Sequence, residues 1–254
     1  MKIIKYKSVA STNDIAKKMA SRGAKHGTTI VANMQRSGRG RQGRVFYSPI
    51  GGVYMSVIVN FCHRDGGVSK NKTSKKTANF TIAQFGNTTV PMTKLTVIAA
   101  VTVTDALKST LGINAGIKWV NDIFFEGKKI GGILTEIVGE SAVVGIGLNL
   151  HTKKLPSDLP NAGSLLHVAN GVTIIQMAET IQKQLLNTLT NFDSKDVLEK
   201  YRQRLILLNK RVLVMSGGVE YQATVISLND DGGLIIERDD GKTDTLYYGE
   251  VSLK

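Results

Sequence analysis

Gln35-Arg36-Ser37-Gly38-Arg39-Gly40-Arg41-Gln42-Gly43-Arg44 carries four arginines, three glycines and no acid in ten residues. Almost nothing in it can sit in a core. Glycine lets backbone approach a ligand closely. Arginine offers planar, permanently charged forks suited to carboxylate and phosphate. Apolar runs flank the stretch at 28–34 and 53–61. The pattern predicts a loop between two buried strands, built to close over an anion.

The chain has 254 residues and 42% hydrophobic content, enough for one large domain with a small appendage. No apolar run approaches the ~18 residues that span a membrane as a helix, and Met1-Lys2-Ile3-Ile4-Lys5-Tyr6-Lys7 is too short and charged for a secretory segment. Cys62 is the single cysteine, so no internal disulfide forms, which suits a reducing cytoplasm. The net charge of +13 is uneven: residues 1–44 hold eleven Lys or Arg against Asp14 alone. Such asymmetry points to nucleic acid or a small anion, and charge alone does not choose between them.

In chain order, residues 2–7 predict a strand, and Ser11 or Thr12 an N-cap for a helix to about Arg22 with Gly23 as its stop. Residues 62–92, with Arg64, Lys70, Lys72, Lys75 and Lys76 against Asp65, read as a mobile basic insertion without regular structure. A buried helix is expected over 93–110, ended by Gly112. An antiparallel meander follows over 116–120, 122–125, 130–138 and 142–150. Helices are expected over 172–189 and 194–207. Four short strands (211–215, 219–228, 233–237, 242–248) suggest a small, partly open barrel.

Three further stretches are unusual. Ser11-Thr12-Asn13 places three short hydrogen-bonding side chains at a strand-to-helix junction, where they could equally be ordinary caps. Lys118-Trp119-Val120-Asn121-Asp122 puts a lysine on an apolar strand, either snorkelling over Trp119 or held in a cleft to meet an anion. Gly131-Gly132-Ile133-Leu134-Thr135-Glu136 and Gly145-Ile146-Gly147-Leu148-Asn149 set glycines inside strands, which weakens a sheet unless a ligand lies against its backbone. The arginine loop is not a nucleotide-hydrolase phosphate loop, because no Gly-Lys-Ser/Thr follows. Nor is it a dinucleotide fingerprint, because no helix follows.

Ser-Thr-Asn, Gln-x3-Gly-Arg-Gly-Arg-x-Gly-Arg, Lys-Trp-x-Asn-Asp, Gly-Gly-Ile-Leu-x-Glu and Gly-x-Gly-x-Asn occur in this order over nearly the whole chain. The set resembles the biotin protein ligases. The resemblance implies an α/β (α+β) catalytic domain over 1–207, related to class II aminoacyl-tRNA synthetases, and an SH3-like β-barrel over 208–254. It implies that biotin and ATP form biotinyl-5′-AMP, with Mg²⁺ on the phosphates and no protein metal cage assigned. The biotinyl group then passes to a lysine of a biotin carboxyl carrier protein or carboxylase carrier domain.

By that resemblance Ser11, Thr12, Asn13 and Gln35 hold the biotin headgroup, and Gly132, Gly145 and Gly147 lie against its rings and chain. Arg39, Gly40 and Arg41 fold over the carboxylate and α-phosphate. Lys118 binds the reacting groups, and Arg39, Arg41 and Lys118 carry the catalysis. Arg44 reaches the outer phosphates; Phe46, Asn121 and Asn149 face the nucleotide. Two departures stand out. Val120 replaces the family's proline in Lys-Trp-Pro-Asn-Asp, and Phe46 stands where many members have a tryptophan.

A lipoate protein ligase is the nearest enzyme alternative, but it would not need the Ser-Thr-Asn corner with Gln35. A nucleic-acid-binding regulator is the alternative of another class. The sequence opens directly on the catalytic motifs, so no specific DNA binding is expected. Exposed strand edges leave a homodimer open, and no membrane association is expected.

Overall fold

The computed structural model describes residues 2–61, 82–85, 88–91 and 94–253. A seven-stranded mixed sheet forms the centre of the molecule. Its strands are β1 (Ile3–Tyr6), β2 (Thr29–Ala32), β3 (Val53–Asn60), β6 (Gly116–Lys118), β7 (Asp122–Phe125), β8 (Lys128–Val138) and β9 (Ser141–Leu148). Their spatial order is β1-β2-β3-β9-β8-β7-β6. Only β1 and β2 run parallel, joined through helix α1 (Thr12–Ala20); every other pairing in this sheet is antiparallel.

Strand alternation decides which side chains meet the site. In β3, Val53, Met55, Val57 and Val59 point into the main core, while Ile58 joins Ala16, Ile30 and Val143 under α1. Ser56 lies on this second face. In β9, Val144, Ile146 and Leu148 face the main core, which leaves Gly145 and Gly147 on the α1 side. Helix α1 packs against β2, β3 and β9, and the glycine-bearing part of that face remains open as a cleft.

The other face is closed by helices α2 (Leu95–Leu111), α3 (Ile174–Thr190) and α4 (Ser194–Arg204). Helix α2 is rich in β-branched residues of modest helix propensity. Eleven of its seventeen residues are nonetheless buried, so packing overrides propensity; each fully buried aliphatic side chain contributes about 1.5–3 kcal/mol. Gly112 ends it in the left-handed region at φ 71°. Helix α3 opens on a capping box between Thr173 and Gln176, and Asp193 caps α4.

The C-terminal part is an antiparallel sheet of β10 (Arg211–Ser216), β11 (Val219–Leu228), β12 (Leu234–Arg238), β13 (Thr243–Leu246) and β14 (Glu250–Leu253), in the order β13-β12-β11-β10-β14. Five strands form where four were expected. Strand β14, after Gly249, pairs with β10 at the edge of the sheet opposite β13. Its core is continuous with the main one. Trp119 Nε1 donates to the Gly232 carbonyl at 3.0 Å, tying the two parts together beside the site.

Within 62–92, residues 82–85 and 88–91 form an antiparallel hairpin of β4 (Ile82–Phe85) and β5 (Thr88–Pro91). The expectation of no regular structure over 62–92 is corrected there: the alternating, Thr-rich stretch pairs with itself. The basic part of the insertion, 62–81, lies outside the described residues. No helix among the described residues is long and apolar enough to cross a membrane.

Candidate active site

A cleft of about 700 Å³ opens on the α1 side of the sheet, lined by every sequence-nominated site residue. It has a neutral end and a charged end, with a glycine floor between them.

The neutral end lies where α1 meets β3. The Thr12 backbone N–H donates to Gln35 Oε1 at 2.8 Å, and Gln35 Nε2 donates to Ser48 Oγ at 2.9 Å. Ser56 Oγ sits 2.8 Å from Thr12 Oγ1 and 2.6 Å from Asn13 Oδ1. Asn13 Nδ2 donates to Glu136 Oε2 at 2.8 Å and to the Leu134 carbonyl at 3.3 Å. Ser11, Thr12, Asn13 and Ser56 are all buried. Ser11 stands at the N-cap position of α1 without a side-chain capping bond, so its hydroxyl is not spent as a cap.

Gly145 and Gly147 make the floor. A Cβ on Gly145 would overlap the Asn13 amide, and one on Gly147 would come within 2.5 Å of the Phe46 ring. That ring also lies near Gly132, 3.6 Å from a Cβ built there, and meets Tyr54 edge-on at 6.4 Å. Gly145 and Gly147 are required by close approach, while a Cβ at Gly132 would make only ordinary contacts.

At the charged end the arginine loop forms a tight 3₁₀ turn at Arg41–Gly43, with Arg39 bridged to Val45. Beyond its backbone hydrogen bonds, two of its arginines are anchored by ion pairs. Arg39 pairs with Asp14 and, at 3.5 Å, with Glu136, which Lys17 also holds at 2.7 Å. Arg44 reaches across the cleft to a bidentate pair with Glu250 of β14. Lys129 pairs with Asp122 at 2.6 Å.

Arg41 and Lys118 differ from these. Arg41 donates to the neutral Asn121 Oδ1 at 3.2 Å, and Asn121 Nδ2 is held by the Ile133 carbonyl at 2.9 Å. Among the described residues neither Arg41 nor Lys118 has a carboxylate within 4.0 Å. Burial pulls the Lys118 ammonium below the ordinary lysine value; the more distant Asp122 and Glu250 oppose that, while Lys129 and Arg44 add to it. The Trp119–Val120 peptide beside it is cis.

Asn149 Nδ2 donates to the Gly163 carbonyl at 2.9 Å, while its buried Oδ1 has no partner. A buried orphan acceptor in a cleft wall is suited to a ligand donor. Among the described residues no group of three or more His, Cys, Asp or Glu is placed to hold a metal ion.

Among the residues of the site that were not nominated from sequence are Ser56, Glu136, Lys129 and Glu250. Ser56 is the one polar residue in the apolar stretch 55–59 of β3, and Glu136 closes a quoted motif, so both carried a signal. Lys129 read as part of a turn. Glu250 depends on a pairing 206 residues away from Arg44.

The arrangement offers buried, neutral hydrogen-bonding groups at one end and cations at the other, with backbone exposed between them. It can hold an elongated carboxylic acid by a polar head and bring its carboxylate to a phosphate.

Comparison with known proteins agrees with that chemistry. Residues 207–254 match the biotin protein ligase C terminal domain. The bifunctional ligase/repressor BirA of Bacillus subtilis is 30% identical over 99% of this chain and 74% of its own length. The biotin--[acetyl-CoA-carboxylase] ligase of Mycobacterium tuberculosis is 25% identical over 95% of this chain and 85% of its own. Biotin protein ligase from Aquifex aeolicus, solved with biotin and ATP, shares the fold at a TM-score of 0.78 and 24% identity, covering 100% of this chain and 98% of that one. The Leishmania major enzyme with biotinyl-5-AMP follows at 0.65 and 25%, covering 96% and 98%. With residues 6–152 matching its model, the chain belongs to the biotin/lipoate A/B protein ligase family.

Proposed function

We propose that this chain is a biotin protein ligase that joins biotin to AMP and passes the biotinyl group to a lysine of a carboxylase carrier domain. One observation carries the residue assignment: two cations without carboxylate partners among the described residues, Arg41 and Lys118, stand at the far end of a glycine floor from a neutral hydrogen-bonding corner.

Biotin is a neutral cyclic urea on an acid chain. Its headgroup takes the corner of Ser11, Thr12 and Gln35, and its rings and chain lie along Gly132, Gly145 and Gly147. The Asn13 amide is engaged by Ser56, Leu134 and Glu136, so it supports the corner from behind. A carboxylate oxygen attacks the α-phosphorus, and the bond to pyrophosphate breaks. Two anions must meet for this step, and the positive charges of Arg41 and Lys118 offset their repulsion and the charge that develops. Arg39 and Gly40 close over the carboxylate and limit water reaching the mixed anhydride.

Arg44 and Lys129 face the outer phosphates. The Phe46 ring offers adenine an aromatic face, and the free Asn149 Oδ1 accepts from its amino group. Asn121 acts by holding Arg41. Mg²⁺ belongs to the ATP phosphates in this reading, since Asp122 is a single carboxylate already paired with Lys129. In the second step the acceptor amine attacks the carbonyl carbon, the bond to AMP breaks, and the amine loses a proton. The division into a catalytic unit over 1–207 and a C-terminal unit over 208–254, which lends Glu250 to the site, is part of the same proposal.

ATP–pyrophosphate exchange, with biotin or lipoate as the acid, tests the reading. Exchange that depends on biotin is expected; exchange supported by lipoate and not by biotin would overturn it.

A further inference from the structure

The polar groups behind Thr12 form a chain whose hydrogens can be placed one at a time. The Leu134 carbonyl and the Glu136 carboxylate face one end of the Asn13 amide, at 3.3 and 2.8 Å. A carbonyl oxygen and an ionised carboxylate can only accept. Burial pushes the Glu136 carboxyl up, but hydrogen bonds from Lys17 and Asn13 and the charges of Lys17 and Arg39 outweigh it and hold it below its ordinary value. The NH₂ of Asn13 therefore points at these acceptors, and Oδ1 faces Ser56 Oγ at 2.6 Å. Oδ1 also only accepts, so the one hydroxyl hydrogen of Ser56 is spent there. Ser56 can then only accept from Thr12 Oγ1, 2.8 Å away.

The other side is constrained in the same way. The Thr12 backbone N–H can only donate, so Gln35 turns its oxygen to it at 2.8 Å. Gln35 Nε2 donates to Ser48, whose hydrogen goes to the Phe46 carbonyl at 2.8 Å. The Thr12 hydroxyl hydrogen has two inward acceptors, Ser56 Oγ and the longer Gln35 Oε1 at 3.1 Å. Either choice leaves lone pairs, and no hydrogen, facing the cleft.

We infer that Asn13 and Ser56 are positioning residues that set the direction of this chain, making Thr12 Oγ1 a dedicated acceptor for an N–H of the ligand. The inference rests on the proposed docking of a ureido headgroup in this corner. It adds a selectivity rule: an otherwise identical ring that presents an oxygen where biotin has this N–H meets lone pair against lone pair and is rejected. Sites built around one hydrogen-bond polarity discriminate strongly against the reversed or missing partner.

The test uses biotin and its two carbamate analogues, in which one or the other ureido N–H is replaced by oxygen. Each is measured in pyrophosphate exchange with the whole protein. The wild-type chain is expected to favour biotin over one of the analogues by about 30-fold in kcat/KM. Ser56→Ala leaves the Thr12 hydrogen only its longer contact and frees it to turn outward, so the ratio falls to about threefold. Thr12→Val removes the acceptor, and the ratio approaches one. Because both ligands are measured on the same variant, a general loss of stability or of active protein cancels. A Ser56→Ala ratio equal to that of wild type, or a wild type indifferent to both analogues while using biotin well, overturns the relay and leaves the ligase reading intact. A wild type that uses no biotin overturns both.

Discussion

The two ends of the cleft are built on opposite principles. At the headgroup end, Thr12, Asn13 and Ser56 are neutral and buried, and Gln35 is bonded into the same chain of short hydrogen bonds. At the reacting end the groups are cations, mostly partly exposed, and three of the five are held by carboxylates: Arg39 by Asp14 and Glu136, Arg44 by Glu250, Lys129 by Asp122. In the proposed reading the first end, buried and internally hydrogen-bonded, recognises the ligand. The second carries charge at little desolvation cost because its arginines and lysines keep contact with water. Arg41 and Lys118 fall between these designs, as cations without an acid partner among the described residues.

That contrast is broken most directly at the unpaired cations. Arg41→Ala and Lys118→Ala should each lower exchange by about 10²–10³-fold in kcat, the scale of removing one preorganised donor to developing charge, with the melting temperature little changed. Arg44→Ala, at a paired cation, should cost far less. Equal losses at all three positions would erase the distinction between paired and unpaired cations. Because burial lowers the Lys118 pKa, its charge is lost as pH rises through a value below the ordinary 10.5. The exchange rate should therefore show an alkaline limb below that value. Lys118→Arg, whose charge persists there, should remove the limb even if it slows the reaction. A limb unchanged in Lys118→Arg assigns it to another group.

The recognition end is broken through its floor. A Cβ on Gly145 overlaps the Asn13 amide. Gly145→Ala should displace Asn13 from Ser56 and Glu136 and raise the biotin KM by about tenfold or more, while the KM for ATP changes little. Parallel rises in both constants would mean that the two ends are not separable.

How much of this was legible depended on whether a residue's role was local. The arginine loop, the strand glycines and Lys118 could be read because glycine and charge are out of place in apolar strands, and the structure brings them into one cleft. Ser56 could have been read by the same logic, as a hydroxyl in an apolar strand. Its meaning came only from Asn13, 43 residues away. Glu250 had no local signal, since the strand that carries it is recognisable only by its pairing with β10. Helix α2 shows the reverse case, where unfavourable β-branched propensity is outweighed by an apolar surface over most of its length. The hairpin β4–β5 was missed because the lysine-rich residues before it dominated the composition of the insertion.

The smallest expected effect lies where the reacting end meets the C-terminal sheet. The arginine loop has no apolar anchor; Val45, its nearest large aliphatic residue, is 82% exposed. The Arg44–Glu250 pair is the contact that ties the end of the loop to the C-terminal sheet. Hydrogen bonding and charge from Arg44 pull the Glu250 carboxyl below its ordinary value against the effect of burial, and both side chains remain partly in water, at 60% and 31% exposure. A pair this exposed contributes little stability, and salt screens it. Glu250→Gln should thus leave the melting temperature within a degree or two. It should raise the KM for ATP by only about two- to fivefold and leave the KM for biotin unchanged. The difference from wild type should shrink as ionic strength approaches ~1 M, where the screening length falls to about 3 Å. A gap in ATP KM that persists at high salt would mean that Glu250 acts through shape or a direct ligand contact, and the view of the reacting end as held by exchangeable ion pairs would fail at that point.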